Sequence, residues 1–132
     1  METALLAYLN TQTGVTALVS SRMEWEDITQ GTALPYVRLT GFGDYVERLT
    51  SGDDELEVKN VQFDCFSTST TEAQSIRRAI KDAISGKRFT HGGYEFVAFL
   101  ERGKTYFEKN ENNGAKIYCA LYEFSVWFKE TA

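Results

Sequence analysis

The side chains that could form a metal or catalytic site are few and lie far apart along the chain. The 132 residues include one histidine, His91, and two cysteines, Cys65 and Cys119. Metal binding and general acid–base catalysis need several such groups converging on one point. The two glycines after His91 predict an exposed turn, and the cysteines form no CxxC pair. We therefore expect no metal site, no cofactor and no enzymatic activity.

Nucleophilic catalysis and phosphate binding have equally little support. The hydroxyl residues from Ser67 to Thr71 lack a neighbouring base, and capping of the helix that follows accounts for them. The segments Gly41-Phe42-Gly43 and Gly92-Gly93 have neither the GxxxxGK[ST] form nor the GxGxxG form of a phosphate-binding loop.

The charge balance argues against a protein whose main task is to bind nucleic acid. The formal net charge is −5 and the pI is about 4.9, whereas affinity for a phosphate backbone comes from clustered Lys and Arg. No apolar run approaches the roughly 18 to 20 residues of a membrane span, and no signal peptide pattern is visible. A modest basic region indicates either a solvated helix face or a contact for acidic loops of another subunit. It comprises Arg77, Arg78, Lys81, Lys87 and Arg88.

Both cysteines lie within apolar strand patterns. Such positions favour buried, reduced thiols that act as small apolar core residues. A disulfide would require closely facing strands, and the sequence does not establish that geometry.

The clearest local structure lies in the middle of the chain. Apolar and polar residues alternate from Val58 to Phe66, as in a half-buried strand, and apolar residues then recur at helical spacing from Ala73 to Ile84. Ser69, with Glu72 three residues later, has the form of a capping box. Gly86 stands where the end of a helix favours a residue at positive φ. The unit is a strand, a tight turn and an amphipathic helix.

The remaining patterns add elements on both sides of this unit. An amphipathic helix is predicted from Glu2 to about Gln12, followed by one or two more helical turns. Strands are predicted at Arg22–Trp25, from Pro35 to about Thr40, at Tyr94–Glu101 and at Ala115–Lys129. The length indicates a single domain, residues 1–132. The fold class is α+β, with a mostly antiparallel sheet of about four to five strands and two main helices packed on one face.

Four segments occur in the order that is typical of one family. They are Gly14–Val19 (GVTALV), Gln30–Val37 (QG followed by LPYV), Val61–Ala73 (VQFDCF leading into TEA) and Tyr122–Trp127 (YEFSVW). Together they resemble the tail-completion or tail-terminator proteins of long-tailed bacteriophages, and the resemblance covers the whole chain. The acidic insert Asp53–Glu57 departs from the family pattern.

The resemblance implies a structural subunit of the virion tail that is assembled in the host cytoplasm. Such subunits form a homo-oligomeric ring, commonly a hexamer, on the head-facing end of the tail tube. The ring would cap polymerisation of the tail tube protein and join the tail to the head–tail connector protein, and DNA would pass through the lumen only as cargo. No membrane partner is implied. A head-side connector or stopper subunit and a stand-alone α+β ligand-binding module are the alternatives.

Two long polar segments, Gly41–Glu57 and Arg102–Gly114, are predicted to be connections that carry the assembly contacts. Connections of this length are usually functional or disordered, and part of the first, Tyr45–Leu49, could extend its strand into a hairpin arm. The candidate interface residues are Asp44, Tyr45, Glu47, Arg48, Asp53, Asp54, Arg77, Arg78, Lys104, Tyr106, Glu108 and Lys109.

Overall fold

The computed structural model of the protein describes residues 1–48, 55–109 and 116–131. Within these residues, three helices and six strands follow one another. They are α1 (Glu2–Asn10), α2 (Thr13–Val19), β1 (Met23–Trp25), β2 (Tyr36–Arg48), β3 (Glu55–Ser67), α3 (Thr70–Ile84), β4 (Arg88–His91), β5 (Tyr94–Lys109) and β6 (Lys116–Glu130). The α+β class is confirmed. Among the described residues, no helix has the length and apolar character to span a bilayer.

The described strands form one sheet in the order β1-β2-β3-β6-β5-β4. β1 runs parallel to β2, and each of the other neighbouring pairs is antiparallel. The central pair, β3 and β6, is in register from Glu57 opposite Phe128 to Ser67 opposite Tyr118. The predicted mostly antiparallel sheet is therefore confirmed.

The sheet has more strands than the four to five predicted, and a third helix, α2, adds to the two main ones. The strand that the pattern missed is β4, where one buried apolar residue, Phe89, is too little to establish an alternation. His91, predicted in an exposed turn, is instead the last residue of β4 and is half-buried. The turn follows at Gly92 and Gly93, both at positive φ.

All three helices pack on one face of the sheet, as predicted. At the centre of this core, the rings of Phe63 on β3 and Phe124 on β6 meet edge to face with centroids 5.5 Å apart. Apolar residues of the helices and of the alternating strand positions surround them. These include Leu5, Leu9, Val15, Val19, Val37, Leu39, Ile76, Ile80, Ile84 and Val126.

Helix α3 begins with a variant of the predicted capping box. The Oγ of Ser69 accepts a hydrogen bond from the backbone N–H of Glu72 at 3.4 Å. The Glu72 carboxylate accepts from the hydroxyl of Ser67 at 2.6 Å, and the Ser67 Oγ accepts from the N–H of Ser69 at 3.1 Å. In an ordinary capping box the Glu72 carboxylate would accept directly from the N–H of Ser69, whereas here the Ser67 hydroxyl bridges these two groups. Gly86 has the expected positive φ, and its N–H donates to the carbonyl of Ala98 at 2.8 Å.

The two cysteines lie on neighbouring strands but on opposite faces of the sheet. Cys65 stands opposite Ala120, and Cys119 stands opposite Phe66, so the two thiols are one residue apart in the alternation. Both are buried and free, as predicted. Burial raises the pKa of the Cys65 thiol well above its usual value, which keeps this thiol in its unreactive protonated form.

We expect both thiols to react slowly in the native protein. At neutral pH, labelling by a maleimide should be at least about 100-fold slower than in the urea-unfolded chain, because the reagent cannot reach either buried thiol. Mass spectrometry of time points, with the unfolded protein as the control, measures both rates. Labelling of either cysteine at the unfolded rate would contradict its burial.

Candidate assembly interface

The sheet has a second face, on which none of the described helices packs. We call it the open face. It carries the residues that alternate with the core positions of β2, β3, β6 and β5. At one end lies a small apolar cluster of buried Phe66, Cys119 and Leu121, flanked by half-buried Leu34, Tyr36, Tyr106 and Ile117.

Beside this cluster the open face holds a buried carboxylate. The Asp64 side chain is fully buried, and its Oδ2 accepts hydrogen bonds from Nε of Arg38 at 3.2 Å and Nη2 at 3.0 Å. Its Oδ1 accepts from Nε2 of Gln62 at 2.9 Å. The Arg38 guanidinium also lies over the ring of Phe66, 5.2 Å from its centroid. A buried charge needs such partners, so these residues form a fixed polar unit.

Other charges on the open face are paired as well. Nε of Arg102 lies 2.6 Å from a carboxylate oxygen of Glu123. Nη1 of Arg88 lies 2.6 Å from a carboxylate oxygen of Glu95. The cations are interleaved with acids and do not form a stripe.

The other end of the open face is apolar and accessible. A groove of about 340 Å³ is lined by Leu56, Arg88, Glu95, Phe96, Val97, Phe99, Trp127 and Lys129. Phe99 is 48 % exposed, and Phe42, which lies on the same row of the sheet through Asn60 and Ser125, is 42 % exposed. A large exposed apolar side chain beside an apolar groove, as Phe99 is here, marks a surface that other molecules cover.

The strands β2 and β5 are each paired on their outer side over only part of their length. β1 pairs with β2 from Val37 to Leu39. β4 pairs with β5 from Tyr94 to Val97, and one further bridge reaches Ala98. Within the described ranges, no strand pairs with the outer side of β2 at residues 42–48 or of β5 at residues 99–109. We call these segments the β2 edge and the β5 edge. Alternate backbone groups of such edges are available to another chain.

Most of the predicted interface residues lie on these two edges. The β2 edge contains Asp44, Tyr45, Glu47 and Arg48. The β5 edge contains Lys104, Tyr106, Glu108 and Lys109. Asp53 and Asp54 fall outside the described residues, as do the side chains at positions 44–48, 108 and 109. Lys104 is exposed, and its Nζ lies 5.9 Å from the centroid of the Tyr106 ring. That these residues form the assembly contacts stays a prediction.

The interpretation of Gly41–Glu57 and Arg102–Gly114 as connections is wrong over much of their length. β2 continues to Arg48, which confirms the strand extension from Tyr45 to that residue, and β5 continues to Lys109. Register irregularities between Phe42 and Tyr45 and between Leu100 and Arg102 hid the strands, because each shifts the two-residue alternation.

Arg77 and Arg78 belong to α3, on the helix-covered side of the sheet. The Arg77 guanidinium lies 4.4 Å from the centroid of the Tyr122 ring, and its Nη1 donates to the carbonyl oxygens of Lys104 at 3.2 Å and Leu121 at 3.3 Å. Arg77 thereby fastens α3 to the β5–β6 pair within the subunit. Arg78 is exposed, and its role in an interface stays a prediction.

Sequence reasoning missed the groove and the buried ion pair. Apolar residues occupy both faces of the predicted strand Tyr94–Glu101, and this signal could have indicated Val97 and Phe99 as surface residues. No local signal pairs Arg38 with Asp64, because they are 26 residues apart in the chain.

Comparisons with known proteins agree with this architecture. The family model described as "Tail completion protein gp17" matches residues 3–128. Among solved structures, a chain of the "Virion of native gene transfer agent (GTA) particle" superposes with a TM-score of 0.63 at 16% sequence identity, and the match covers 97% of each chain. At this identity the likeness shows the fold alone. No curated protein matches the chain.

Proposed function

Because this chain belongs to the family of tail completion proteins gp17, we propose that it forms a ring at the head-proximal end of a phage tail tube. There it ends polymerisation of the tube and joins the tail to the head connector. The family match over residues 3–128 carries this proposal. The broader statement is a structural role in the tail of a phage or phage-like virion.

The distribution of surfaces supports a ring. The subunit has an open face with an apolar groove and two partly unpaired edges on opposite sides of the sheet. A contact between two different surfaces of identical subunits is heterologous, and it closes into a ring when its rotation permits. We propose six subunits per ring.

The charges of the open face suit a conduit for DNA. Arg38 is paired with Asp64, and Arg102 is paired with Glu123. Cations that are paired with acids in this way offer few contacts that would release counterions from DNA, and such contacts supply the affinity for its backbone. We propose that DNA passes as cargo, and that the ring acts without a cofactor and without catalysis. Assembly would take place in the host cytoplasm.

Mass measurement of the purified protein, alone and with isolated tail tubes, tests the ring. We expect a species of about six times the subunit mass of 15.0 kDa, present alone or formed on the tubes. In cells infected by a phage that cannot make this protein, tails should lack heads and have tubes of abnormal length. Electron microscopy of the particles measures both effects. A strictly monomeric protein in both measurements would contradict the ring. Rings bound to heads and never to tubes would favour a head-side stopper.

A further inference from the structure

The β2 edge and the β5 edge lie at opposite ends of the sheet as well as on opposite sides. β1 covers the first part of β2, and β4 covers the first part of β5. The antiparallel pairings through β3 and β6 make β2 and β5 run in opposite directions. Their first parts therefore lie at opposite ends, and so do the uncovered second parts.

We infer that neighbouring copies of this chain join by backbone hydrogen bonds between the β2 edge of one copy and the β5 edge of the next. The inference rests on the proposed ring and identifies its subunit contact. Two copies side by side in the same orientation bring β5 of one beside an oppositely directed β2 of the next. This arrangement gives an ordinary antiparallel ladder.

The short outer strands restrict this ladder to a staggered one. In a level arrangement, Phe42 of one copy would lie on the row of Phe99 of the next. The second half of β2 would then occupy the position where β4 already pairs with Tyr94–Val97. Residues directly opposite each other point to the same face of a sheet, so a shift that keeps both open faces on one side is an even number of residues. The smallest such shift that avoids β4 and the bridge at Ala98 sets Phe42 of one copy opposite Tyr106 of the next. Since Phe99 faces Ser125 and Tyr106 faces Cys119, the shift is six residues along β6.

A shift of six residues is compatible with a closed ring. It amounts to about 20 Å along the strands, and the four strands β2, β3, β6 and β5 span about 19 Å across them. The strands would then tilt by about 45° from the ring axis, at the upper end of the range of closed β-barrels. Copies joined edge to edge with this stagger can therefore close into a ring and need not form an open helix.

Exposure and charge also favour a second copy as the occupant. Each edge begins with an exposed phenylalanine, Phe42 on β2 and Phe99 on β5, and the staggered ladder sets Phe42 opposite Tyr106 on the open face. The β2 edge has a formal charge of −1, from Asp44, Glu47 and Arg48. The β5 edge has a formal charge of +1, from Glu101, Arg102, Lys104, Glu108 and Lys109. The two edges are complementary in sign.

Disulfide trapping between the two edges tests the inference. Three variants each carry one new cysteine per edge, in registers two residues apart: Glu47→Cys with Arg102→Cys, Glu47→Cys with Lys104→Cys, and Tyr45→Cys with Arg102→Cys. Under mild oxidation, at least one should form a ladder of covalent multimers on a non-reducing gel. The native cysteines are buried and should contribute no cross-link.

The single variants and a displaced pair are the controls. Glu47→Cys with Gln74→Cys moves the second thiol to an exposed position on α3 and should form no ladder. Covalent dimers from Glu47→Cys alone or Arg102→Cys alone would indicate pairing of like edges and overturn the inference. A ring-sized native mass without cross-links in any double variant would overturn it and leave the proposed ring intact. A monomeric mass without cross-links would reject both.

Discussion

Replacement of Phe63 by alanine is expected to lower the free energy of unfolding by about 3 to 5 kcal/mol. Phe63 is 1% exposed and lies at the centre of the helix-covered core, with its ring against that of Phe124. Strands on both sides hold it, since Leu39 and Tyr122 are its cross-strand neighbours. The truncated side chain would leave a cavity that these strands cannot readily close. The loss of stability therefore includes both the lost hydrophobic transfer free energy and the cost of the cavity.

Urea unfolding followed by circular dichroism measures the change, and Phe99→Ala is the matched control. Phe99 is 48 % exposed on the open face, and surface substitutions usually change stability by no more than about 0.5 kcal/mol. Similar losses for both variants would contradict the assignment of the core to the helix-covered face. Measurement at low protein concentration keeps subunit contacts out of the comparison.

Replacement of Arg38 by methionine should cost more stability than replacement of its partner Asp64 by asparagine. The first change leaves a fully buried carboxylate whose remaining side-chain donors are the amide of Gln62 and the thiol of Cys119. We expect a loss of about 2 to 4 kcal/mol, because removing one partner of a buried pair strands the other charge. The Arg38 side chain is 37% exposed, so Asp64→Asn leaves a cation that water can solvate, and about 1 to 2 kcal/mol should be lost.

The double variant Arg38→Met with Asp64→Leu completes the thermodynamic cycle. Replacement of both charges by apolar groups of similar size should bring stability back to within about 1 kcal/mol of the natural protein. Urea unfolding of the four proteins gives the coupling free energy. If the losses of the two single changes simply add, Arg38 and Asp64 are not energetically coupled.

The sequence predicted those parts of the fold whose signals are local. The Ser69 cap, the positive φ of Gly86 and the alternation through Phe63 each depend on residues a few positions apart, and all three are confirmed. β4 was missed because four residues with one buried side chain cannot show a period. The outer part of β5 was missed because the register shift after Leu100 interrupts the alternation.

The candidate interface was predictable as segments of chain but not as surfaces. The position of Asp64 among polar residues indicated exposure to solvent, yet its side chain is fully buried and pairs with Arg38, which lies directly opposite it on β2. Which face of the sheet the helices leave open depends on packing between distant elements. The two edges depend on where β1 and β4 stop, and this is set by tertiary structure rather than by local propensity.

The short strands β1 and β4 also bear on how the chain avoids unlimited association through its edges. An uncovered edge strand is a template for further strands, and identical sheets that meet edge to edge at the same level can extend without limit as fibrils. Because β1 and β4 occupy the positions that a level neighbour would need, the flat, endlessly growing arrangement is blocked. Two short strands of three and four residues can thus protect the cell from aggregates of a protein that associates with itself in the proposed ring.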